Sequence, residues 1–232
     1  MATDLGPGAG LGPRLRLVRE NRGVSARELA RRVGCSASLV SQVERGLSMP
    51  SVGVLYAVAS ELDCSLDYLV FGTGEAAAAP LGGTVGDDVP AAPEAFRGEV
   101  PVLTRPATAG TRARRSDGVV LRGCDRRVID LASGVRWERL TPAADELTDF
   151  LKVIYSPGGH STDERRPLRH EGREYGLILS GTLRANVGFE TYELRPGDSI
   201  VFDSSTPHEY WNTAGDYVHA VWVVVHPGRA HA

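Results

Sequence analysis

The N-terminal third of the chain carries apolar residues at helical spacing. Leu11, Leu15 and Val18 recur at intervals of four and three residues, so they form one apolar stripe along a first helix. The sequence Ser-Ala-Arg-Glu that starts at Ser25 is a capping box, which predicts the beginning of a second helix. Gly34 follows the last apolar position of that helix and predicts its end.

Three more helices are predicted before residue 72, and each is preceded by a serine that can cap it. These N-cap residues are Ser36, Ser51 and Ser65. In the third helix, Val40, Val43 and Leu47 are expected to face the core. Two helices joined by a glycine-containing turn at this spacing are typical of a helix-turn-helix motif.

The pattern changes after residue 72. Residues 73–110 are rich in Ala, Gly and Pro and poor in large apolar side chains, so we interpret them as a flexible linker. Residues 111–228 contain short β-rich runs bounded by Gly, Pro, Asp and Asn, which predict the strands of a sandwich or barrel. The sequence therefore predicts an α+β protein of two domains. These are a five-helix bundle over residues 11–72 and an all-β domain over residues 111–228, with its motif-bearing core at residues 150–226.

Composition narrows the function classes. The 232 residues suffice for two domains, and the net charge of -3 excludes a chain that is basic throughout. A local patch is nevertheless basic, because residues 11–46 contain eight Arg and three Glu, a net charge of 8 − 3 = +5. That balance favours contact with nucleic-acid phosphates.

The sequence gives no signal for a membrane or a secretory route. Its longest apolar runs, such as Val221 to Val225, are too short to span a bilayer, and the first residues lack a signal-peptide pattern. The three cysteines are scattered without metal-binding spacing. We therefore expect a cytoplasmic protein with reduced thiols and no membrane partner.

The helical segment also carries a family pattern. VSARELARRVGCSASLVSQVERGLSMPSVGVLYAVASELDCSLDYLV closely resembles the phage-repressor-like (XRE-type) helix-turn-helix family. The resemblance covers about sixty residues and every predicted helix. It implies that the third helix lies in the major groove of double-stranded DNA and reads base edges.

Residues at the start and on the exposed face of the third helix are the candidate DNA contacts. The predicted DNA-binding residues are Ser25, Ser36, Ala37, Ser38, Ser41, Gln42 and Arg45. Gln42 can read adenine through two hydrogen bonds, and Ala37 can contact a thymine methyl group. Arg45 and the amide groups at the starts of the second and third helices can hold phosphates.

The same resemblance implies that Glu44 pairs with Arg19 and fixes the third helix onto the first. This pair is structural, so phosphate contacts fall to other arginines. The alternative interpretation is a solvated basic face on a bundle that does not bind DNA. The full family pattern disfavours that alternative.

Two later segments carry a second family pattern. RHEGREYGLILSGTLRANVG and LRPGDSIVFDSSTPHEYWN resemble the first and second motifs of the cupin family. The resemblance implies a double-stranded β-helix, which is a jelly-roll barrel. Its metal ligands map to His170, Glu174 and His208, and Asn212 closes the second motif. Gly172 stands where the family pattern has a further histidine.

Gly172 bears on whether these ligands can meet. A straight strand would separate the Cα atoms of His170 and Glu174 by about 13 Å. A shared ion requires the chain to bend between them, and glycine is the residue that bends most easily. His170, Glu174 and His208 could then bind Fe, Zn, Ni or Mn. The alternative is a metal-free pocket in which the same side chains hydrogen-bond a small-molecule effector.

The candidate pocket extends along the strand of the second motif. Tyr210 and Asn212 alternate with His208, so we expect all three to face the lumen of the barrel. Together with His170 and Glu174 they form the predicted effector pocket.

A repressor-like helix-turn-helix joined to a cupin resembles a large group of bacterial transcription regulators. The resemblance implies a homodimer, a small-molecule effector in the barrel and a pseudo-palindromic DNA operator. We therefore predict a sequence-specific transcriptional regulator rather than an enzyme.

Two other functions stay open. A few iron enzymes that act on phosphonates, including a 2-hydroxypropylphosphonate epoxidase, share this layout and ligand pattern. In the epoxidase the helical domain supplies a catalytic lysine near the start of its second helix, where this chain reads Arg22-Gly23-Val24. The third alternative is a barrel that dimerises the helical domains and binds no ligand.

Overall fold

The computed structural model describes residues 10–72, 118–162 and 167–227. The predicted linker, residues 73–110, lies outside the described residues, as does the start of the predicted all-β domain. The α-helices occupy the first described segment and the strands occupy the other two, so the predicted two-domain α+β class is confirmed. In the described part of the chain, no helix is long and apolar enough to cross a membrane.

Within residues 10–72, five α-helices form the first domain. They are α1 (Leu11–Asn21), α2 (Ala26–Val33), α3 (Ala37–Glu44), α4 (Val52–Glu61) and α5 (Leu66–Phe71). Ser25 Oγ accepts a hydrogen bond from the Glu28 backbone N–H at 3.1 Å, and Ser36 Oγ accepts one from the Leu39 N–H at 3.1 Å. Gly34 ends α2 in the left-handed conformation, with φ of 78°. The predicted serine N-caps of α2 and α3 and the predicted end of α2 at Gly34 are therefore confirmed.

The predicted core positions of α3 are buried, with one exception. Val40 and Val43 face the interior of the bundle. The prediction for Leu47 is wrong, because α3 ends at Glu44 and Leu47 is 71% exposed. A helical spacing places residues on one face only while the helix continues.

Two arginines join the helices of the bundle. Arg14 donates hydrogen bonds to the carbonyl oxygens of Leu69, at 2.9 Å, and Val70, at 2.5 Å, which ties α1 to α5. Arg19 forms a two-pronged ion pair with Glu44, at 2.5 and 3.0 Å, which ties α1 to the end of α3. The pair implied by the family resemblance is present.

Nine strands in the described residues form two antiparallel sheets. They are β1 (Val128–Leu131), β2 (Val135–Arg139), β3 (Thr148–Tyr155), β4 (Arg173–Ser180), β5 (Leu183–Val187), β6 (Glu190–Leu194), β7 (Ser199–Asp203), β8 (His208–Trp211) and β9 (Val218–Val225). The strand order is β1-β2-β3-β9-β4-β7 in one sheet and β6-β5-β8 in the other. Burial alternates along β3, β8 and β9, so one face of each strand points into a shared apolar interior.

The helical domain packs against one end of this barrel through α4 and α5. The Gly53 backbone N–H donates to the Ser161 carbonyl oxygen at 3.1 Å. Asp67 of α5 and Arg139 of β2 form an ion pair at 3.3 Å in which both side chains are buried. Tyr56 of α4 lines the lumen of the barrel together with residues of its strands. The first domain therefore covers the end of the barrel in which the candidate ligands lie.

Candidate functional site

Three metal-ligating side chains meet at the covered end of the barrel. Glu174 Oε1 lies 2.8 Å from His170 Nε2 and 3.0 Å from His208 Nε2. All three side chains are buried, and their ligand atoms lie within 4.8 Å of one another. The structure thus brings together the three residues that the sequence singled out, at distances over which one ion can bind all of them.

A bend at Gly172 brings His170 and Glu174 together. Glu174 lies in β4, whereas His170 precedes that strand. Gly172 adopts φ of +118°, and a Cβ at this position would lie 2.5 Å from the Val225 carbonyl oxygen. Only glycine meets both constraints. Because any side chain here would point at the backbone of β9, the departure from the cupin pattern follows from the path of the chain.

The two histidines are oriented by backbone carbonyl groups. His170 Nδ1 lies 3.1 Å from the Glu171 carbonyl oxygen, and His208 Nδ1 lies 2.8 Å from that of Thr206. A carbonyl oxygen only accepts, so both Nδ1 atoms carry a hydrogen, and in a neutral imidazole each Nε2 atom then has its lone pair available for a metal ion. The buried Nε2 atoms have no hydrogen-bond partner among the described residues, although both lie close to Glu174. Lone pairs that converge beside a carboxylate are what a metal ion requires.

The other oxygen of Glu174 is held by two donors. Glu174 Oε2 accepts hydrogen bonds from the Tyr210 hydroxyl at 2.8 Å and from Trp222 Nε1 at 2.7 Å. Burial opposes ionisation of this carboxyl, but His170 and His208, when protonated at Nε2, outweigh burial through their hydrogen bonds and charge and hold the pKa of Glu174 well below its usual range. Burial and the neighbouring carboxylate raise the pKa of Tyr210, so its hydroxyl remains a donor. Oε1 is left to bind an ion.

The donor set fits a divalent transition metal. Two imidazole nitrogens and one carboxylate oxygen converge, and each ligand is oriented by a partner on its far side. Such a set suits Fe(II), Zn, Ni or Mn. A bound ion would supply Lewis acidity and open coordination positions at this point.

Of the two further residues predicted for the pocket, one joins the ligands and the other does not. Tyr210 reaches Glu174 through its hydroxyl group. The Asn212 amide forms its hydrogen bonds elsewhere, and the residue lines a neighbouring cleft together with Tyr210. Its amide nitrogen donates to three backbone carbonyl oxygens at 2.8 to 3.3 Å, and its amide oxygen accepts from the Ala214 N–H at 2.9 Å. The Asn212 side chain is occupied in closing the loop after β8.

The lumen around the ligands is nearly full. The space left there is about 20 Å³, which suffices for about one water molecule or an ion. Organic ligands occupy pockets of roughly 300–1,000 Å³. The side chains that fill the lumen include Trp137, Leu151, Val153, Tyr155, Trp222 and Val224. A larger cleft of about 640 Å³ borders Tyr210, His160 and Asn186, but none of the three ligands lines it.

Two residues beside the three candidate ligands were not identified from the sequence. Trp222 alternates with Ala220 and Val224 along β9, and this period of two could have marked it as facing inward. Tyr56 had no such signal, because nothing local indicates that a helix of the first domain reaches the barrel. Its ring stacks on the His170 ring, with centroids 4.1 Å apart and planes inclined by 7°.

The second candidate site is the exposed face of α3. The predicted DNA-binding residues on this helix and just after it are Ala37, Ser38, Ser41, Gln42 and Arg45, and all are at least partly exposed. Gln42 Nε2 donates to Ser38 Oγ at 3.3 Å, and Arg45 Nη1 donates to Ser41 Oγ at 2.6 Å. The polar side chains on this face therefore hydrogen-bond to one another when no partner molecule is bound.

The basic patch is smaller than the charge count predicts. Arg14 and Arg19 are buried in the bundle. Four more arginines pair with carboxylates at the surface, namely Arg16, Arg22, Arg31 and Arg32. Among the described residues, Arg27 and Arg45 are exposed and lie in no ion pair with a carboxylate. Of the eight arginines in residues 11–46, these two therefore carry the exposed charge that is not paired with a carboxylate.

The fold and the two sites define the class of protein. A helix-turn-helix bundle is followed by a jelly-roll barrel that gathers two histidines and a glutamate at one end. Residues 15–69 match the helix-turn-helix family, and residues 151–224 match the cupin domain family. The chain thus combines an N-terminal XRE-type helix-turn-helix domain with a C-terminal cupin domain.

Curated relatives match the first domain. An uncharacterized HTH-type transcriptional regulator of Mycobacterium tuberculosis is 45% identical over 60 residues, which is 26% of this chain. A second uncharacterized HTH-type transcriptional regulator, from another strain of M. tuberculosis, matches with the same identity and extent. The matched segment covers 43% of the length of these relatives.

Solved structures extend the likeness to both domains. An HTH_3 family transcriptional regulator from Vibrio cholerae has a TM-score of 0.57, with 19% identity over 94% of this chain and 96% of its own. At that identity the likeness shows a shared fold. The hydroxypropylphosphonic acid epoxidase from S. wedmorenis covers 93% of this chain and 96% of its own, but its TM-score is 0.40 and its identity 16%. That likeness is too low to support a shared chemistry.

Proposed function

We propose that this protein is a sequence-specific, DNA-binding transcriptional regulator whose cupin barrel holds a divalent metal ion and joins two copies into a homodimer. The observation that carries the proposal is the combination of a complete helix-turn-helix, with a polar exposed face on α3, and a complete three-ligand set in the barrel. The match to proteins named as HTH-type regulators supports the DNA-binding role. Such a role places the protein in the cytoplasm.

In this proposal α3 enters the major groove of the operator. Gln42 exchanges its hydrogen bond with Ser38 for two hydrogen bonds to an adenine, and Ala37 contacts a thymine methyl group. Arg27 and Arg45, which lie in no ion pair with a carboxylate among the described residues, contact phosphates on either side. The backbone N–H groups at the start of α3 add a further phosphate contact.

An apolar face on the outside of the six-stranded sheet supports the homodimer. One row of paired residues crosses β3, β9, β4 and β7, and it consists of Phe150, Val223, Tyr175 and Val201. Phe150, Tyr175 and Val201 are 37%, 45% and 51% exposed. Contiguous apolar surface of this kind is typical of an interface. A two-fold axis through it presents two α3 helices to a pseudo-palindromic operator with half-sites about one DNA turn apart.

The volume of the barrel site narrows the class of effector. With α4 in place, the space beside the ligands admits an ion with about one water molecule and excludes an organic molecule. A metal ion is therefore the ligand that this arrangement of the two domains fits. An organic effector could reach Glu174 only after side chains of α4 had moved.

The test of the DNA-binding role is selection from random double-stranded oligonucleotides, followed by mobility shifts of the selected sequence. Gln42→Ala should weaken specific binding by about 1–3 kcal/mol. Asn21→Ala removes an exposed amide at the end of α1 and serves as the matched control. Failure of the chain to enrich any sequence, or equal effects of the two substitutions, would contradict the proposal.

A second function is favoured by one observation, the ligand set itself, because non-haem iron oxygenases use two histidines and one carboxylate. The filled lumen and the sequence Arg22-Gly23-Val24, where the phosphonate epoxidase resemblance implies a lysine, argue against this iron enzyme. Oxygen consumption by the Fe(II)-loaded chain with a 2-hydroxyalkylphosphonate, abolished in His208→Ala, would establish it.

A further inference from the structure

A residue of the helical domain forms one wall of the metal site. The Tyr56 ring of α4 lies flat on the His170 ring, with centroids 4.1 Å apart. Its other neighbour is Trp137 of β2, whose ring meets it edge-on with centroids 6.1 Å apart. Tyr56 is 8% exposed, so it is buried between the two domains. The site is therefore assembled from both domains.

The barrel makes fewer aromatic contacts with the His170 ring, which meets that of His208 edge-on, than with the His208 ring. His208 lies in β8, its Nδ1 hydrogen bond is 2.8 Å long, and the Phe202 and Tyr210 rings lie 5.0 and 5.8 Å from its own. His170 lies outside the strands, and its Nδ1 contact with the next residue's carbonyl is 3.1 Å long. The ring that packs face to face on His170 is that of Tyr56. The direction of the His170 lone pair thus depends on a side chain from the first domain.

Tyr56 occupies this position because α4 and α5 dock on the barrel. Gly53 approaches so closely that a Cβ on it would lie 2.8 Å from Leu168 Cδ2. Asp67 and Arg139 add the buried ion pair on the other side of the contact. If the first domain moved away, Tyr56 would leave His170 with it.

We propose that Tyr56 is a positioning residue for the metal ligand His170, so that metal occupancy and docking of the DNA-binding domain stabilise each other. The inference rests on the proposed metal site and adds how that site is regulated. A ligand that binds the docked form more tightly must favour docking by the same factor. Metal then fixes the orientation of α3 relative to the barrel, and loss of metal releases it.

The first arm measures metal affinity of the full-length chain with Co²⁺, from the visible absorption band of the bound ion. Tyr56→Ala should weaken binding by about 10-fold or more, the usual effect of losing a group that orients a metal ligand. Tyr56→Leu fills the space without a flat ring and should weaken binding similarly. Tyr56→Phe keeps the stacked ring and should restore wild-type affinity. A purely structural role would not separate Leu from Phe in this way.

The second arm measures docking at a distance from the ligands. Gly53→Leu places a side chain against Leu168 and should force the domains apart. We expect it to weaken Co²⁺ binding about 10-fold although all three ligands are unchanged. Acrylamide quenching, with Trp137→Phe in the same background as the reference, should show Trp137 exposed in this variant. Saturating Zn²⁺ should reverse the exposure.

The outcomes separate this inference from the proposal on which it rests. Equal Co²⁺ affinity of the wild-type, Tyr56→Leu and Gly53→Leu proteins, with binding abolished in His208→Ala, would overturn the coupling and leave the metal site standing. Wild-type protein that binds Co²⁺ no better than His208→Ala would overturn both. Neither result bears on DNA binding, which the mobility shifts test separately.

Discussion

Restoring the histidine of the cupin pattern at Gly172 is the perturbation that most directly tests the geometry of the site. From the sequence, Gly172→His should add a fourth ligand and tighten metal binding. The structure predicts the opposite. The backbone has φ of +118°, and a Cβ would lie 2.5 Å from the Val225 carbonyl oxygen, pointing at β9 rather than at His170 and Glu174.

The expected destabilisation combines two effects. A non-glycine residue in such a backbone conformation costs about 1–3 kcal/mol. Relieving the overlap with β9 costs about 1–3 kcal/mol more, as for other overpacked sites. The free energy of unfolding should therefore fall by about 2–6 kcal/mol, a large part of the stability of a typical domain.

Urea unfolding followed by circular dichroism measures this loss, and two controls divide it. Gly172→Ala has the same strain and overlap without an imidazole, so it should be destabilised to a similar extent. Gly197→Ala has φ of +92° with nothing within 4 Å of its Cβ, so it isolates the backbone strain. A Gly172→His protein that is as stable as wild type, or that binds Co²⁺ more tightly, would refute the reasoning.

Three further predictions concern buried polar groups. Burial raises the pKa of Asp67 to about 6 against the opposing effect of Arg139, so the native state binds the proton more tightly than the unfolded state. The free energy of unfolding should therefore fall by up to about 3 kcal/mol as pH rises from 4 to 6. Urea titrations at several pH values measure this dependence, and Asp67→Asn should remove it. An unchanged pH dependence in Asp67→Asn would contradict the prediction. Trp222→Phe removes one of the two donors to Glu174 Oε2, so the free energy of unfolding should fall by about 2 kcal/mol and Co²⁺ binding should weaken. Co²⁺ affinity equal to that of the wild type would show that this donor does not orient Glu174. Glu44→Ala removes the two-pronged partner of the buried Arg19, which keeps its hydrogen bond to the Val24 carbonyl oxygen and its weaker contact with Glu20. The free energy of unfolding should fall by about 3 kcal/mol, whereas Glu190→Ala at an exposed position should leave it nearly unchanged; equal losses would contradict the assignment.

Much of the fold follows from local signals in the sequence. The serine caps and the glycine at the end of α2 act on backbone groups within a few residues, so they can be identified without knowledge of the rest of the molecule. The alternation along the strands and the two cupin-like segments likewise predicted the barrel. The same segments identified His170, Glu174 and His208 as candidate metal ligands. The failure at Leu47 has the same local origin, because an apolar spacing does not say where a helix ends.

The remaining features depend on which distant surfaces meet. Asn212 is at the right spacing to face the lumen, but its amide is taken up by the loop that closes β8. The basic patch shrinks because most arginines of the first domain find carboxylate or carbonyl partners after folding. Tyr56 reaches His170 only because α4 docks on the barrel. The sequence by itself determined the two domains and the types of candidate ligand, since these rest on local periodicity and residue chemistry. The tertiary structure alone decided that the helical domain places Tyr56 on His170, because that contact joins residues more than a hundred positions apart.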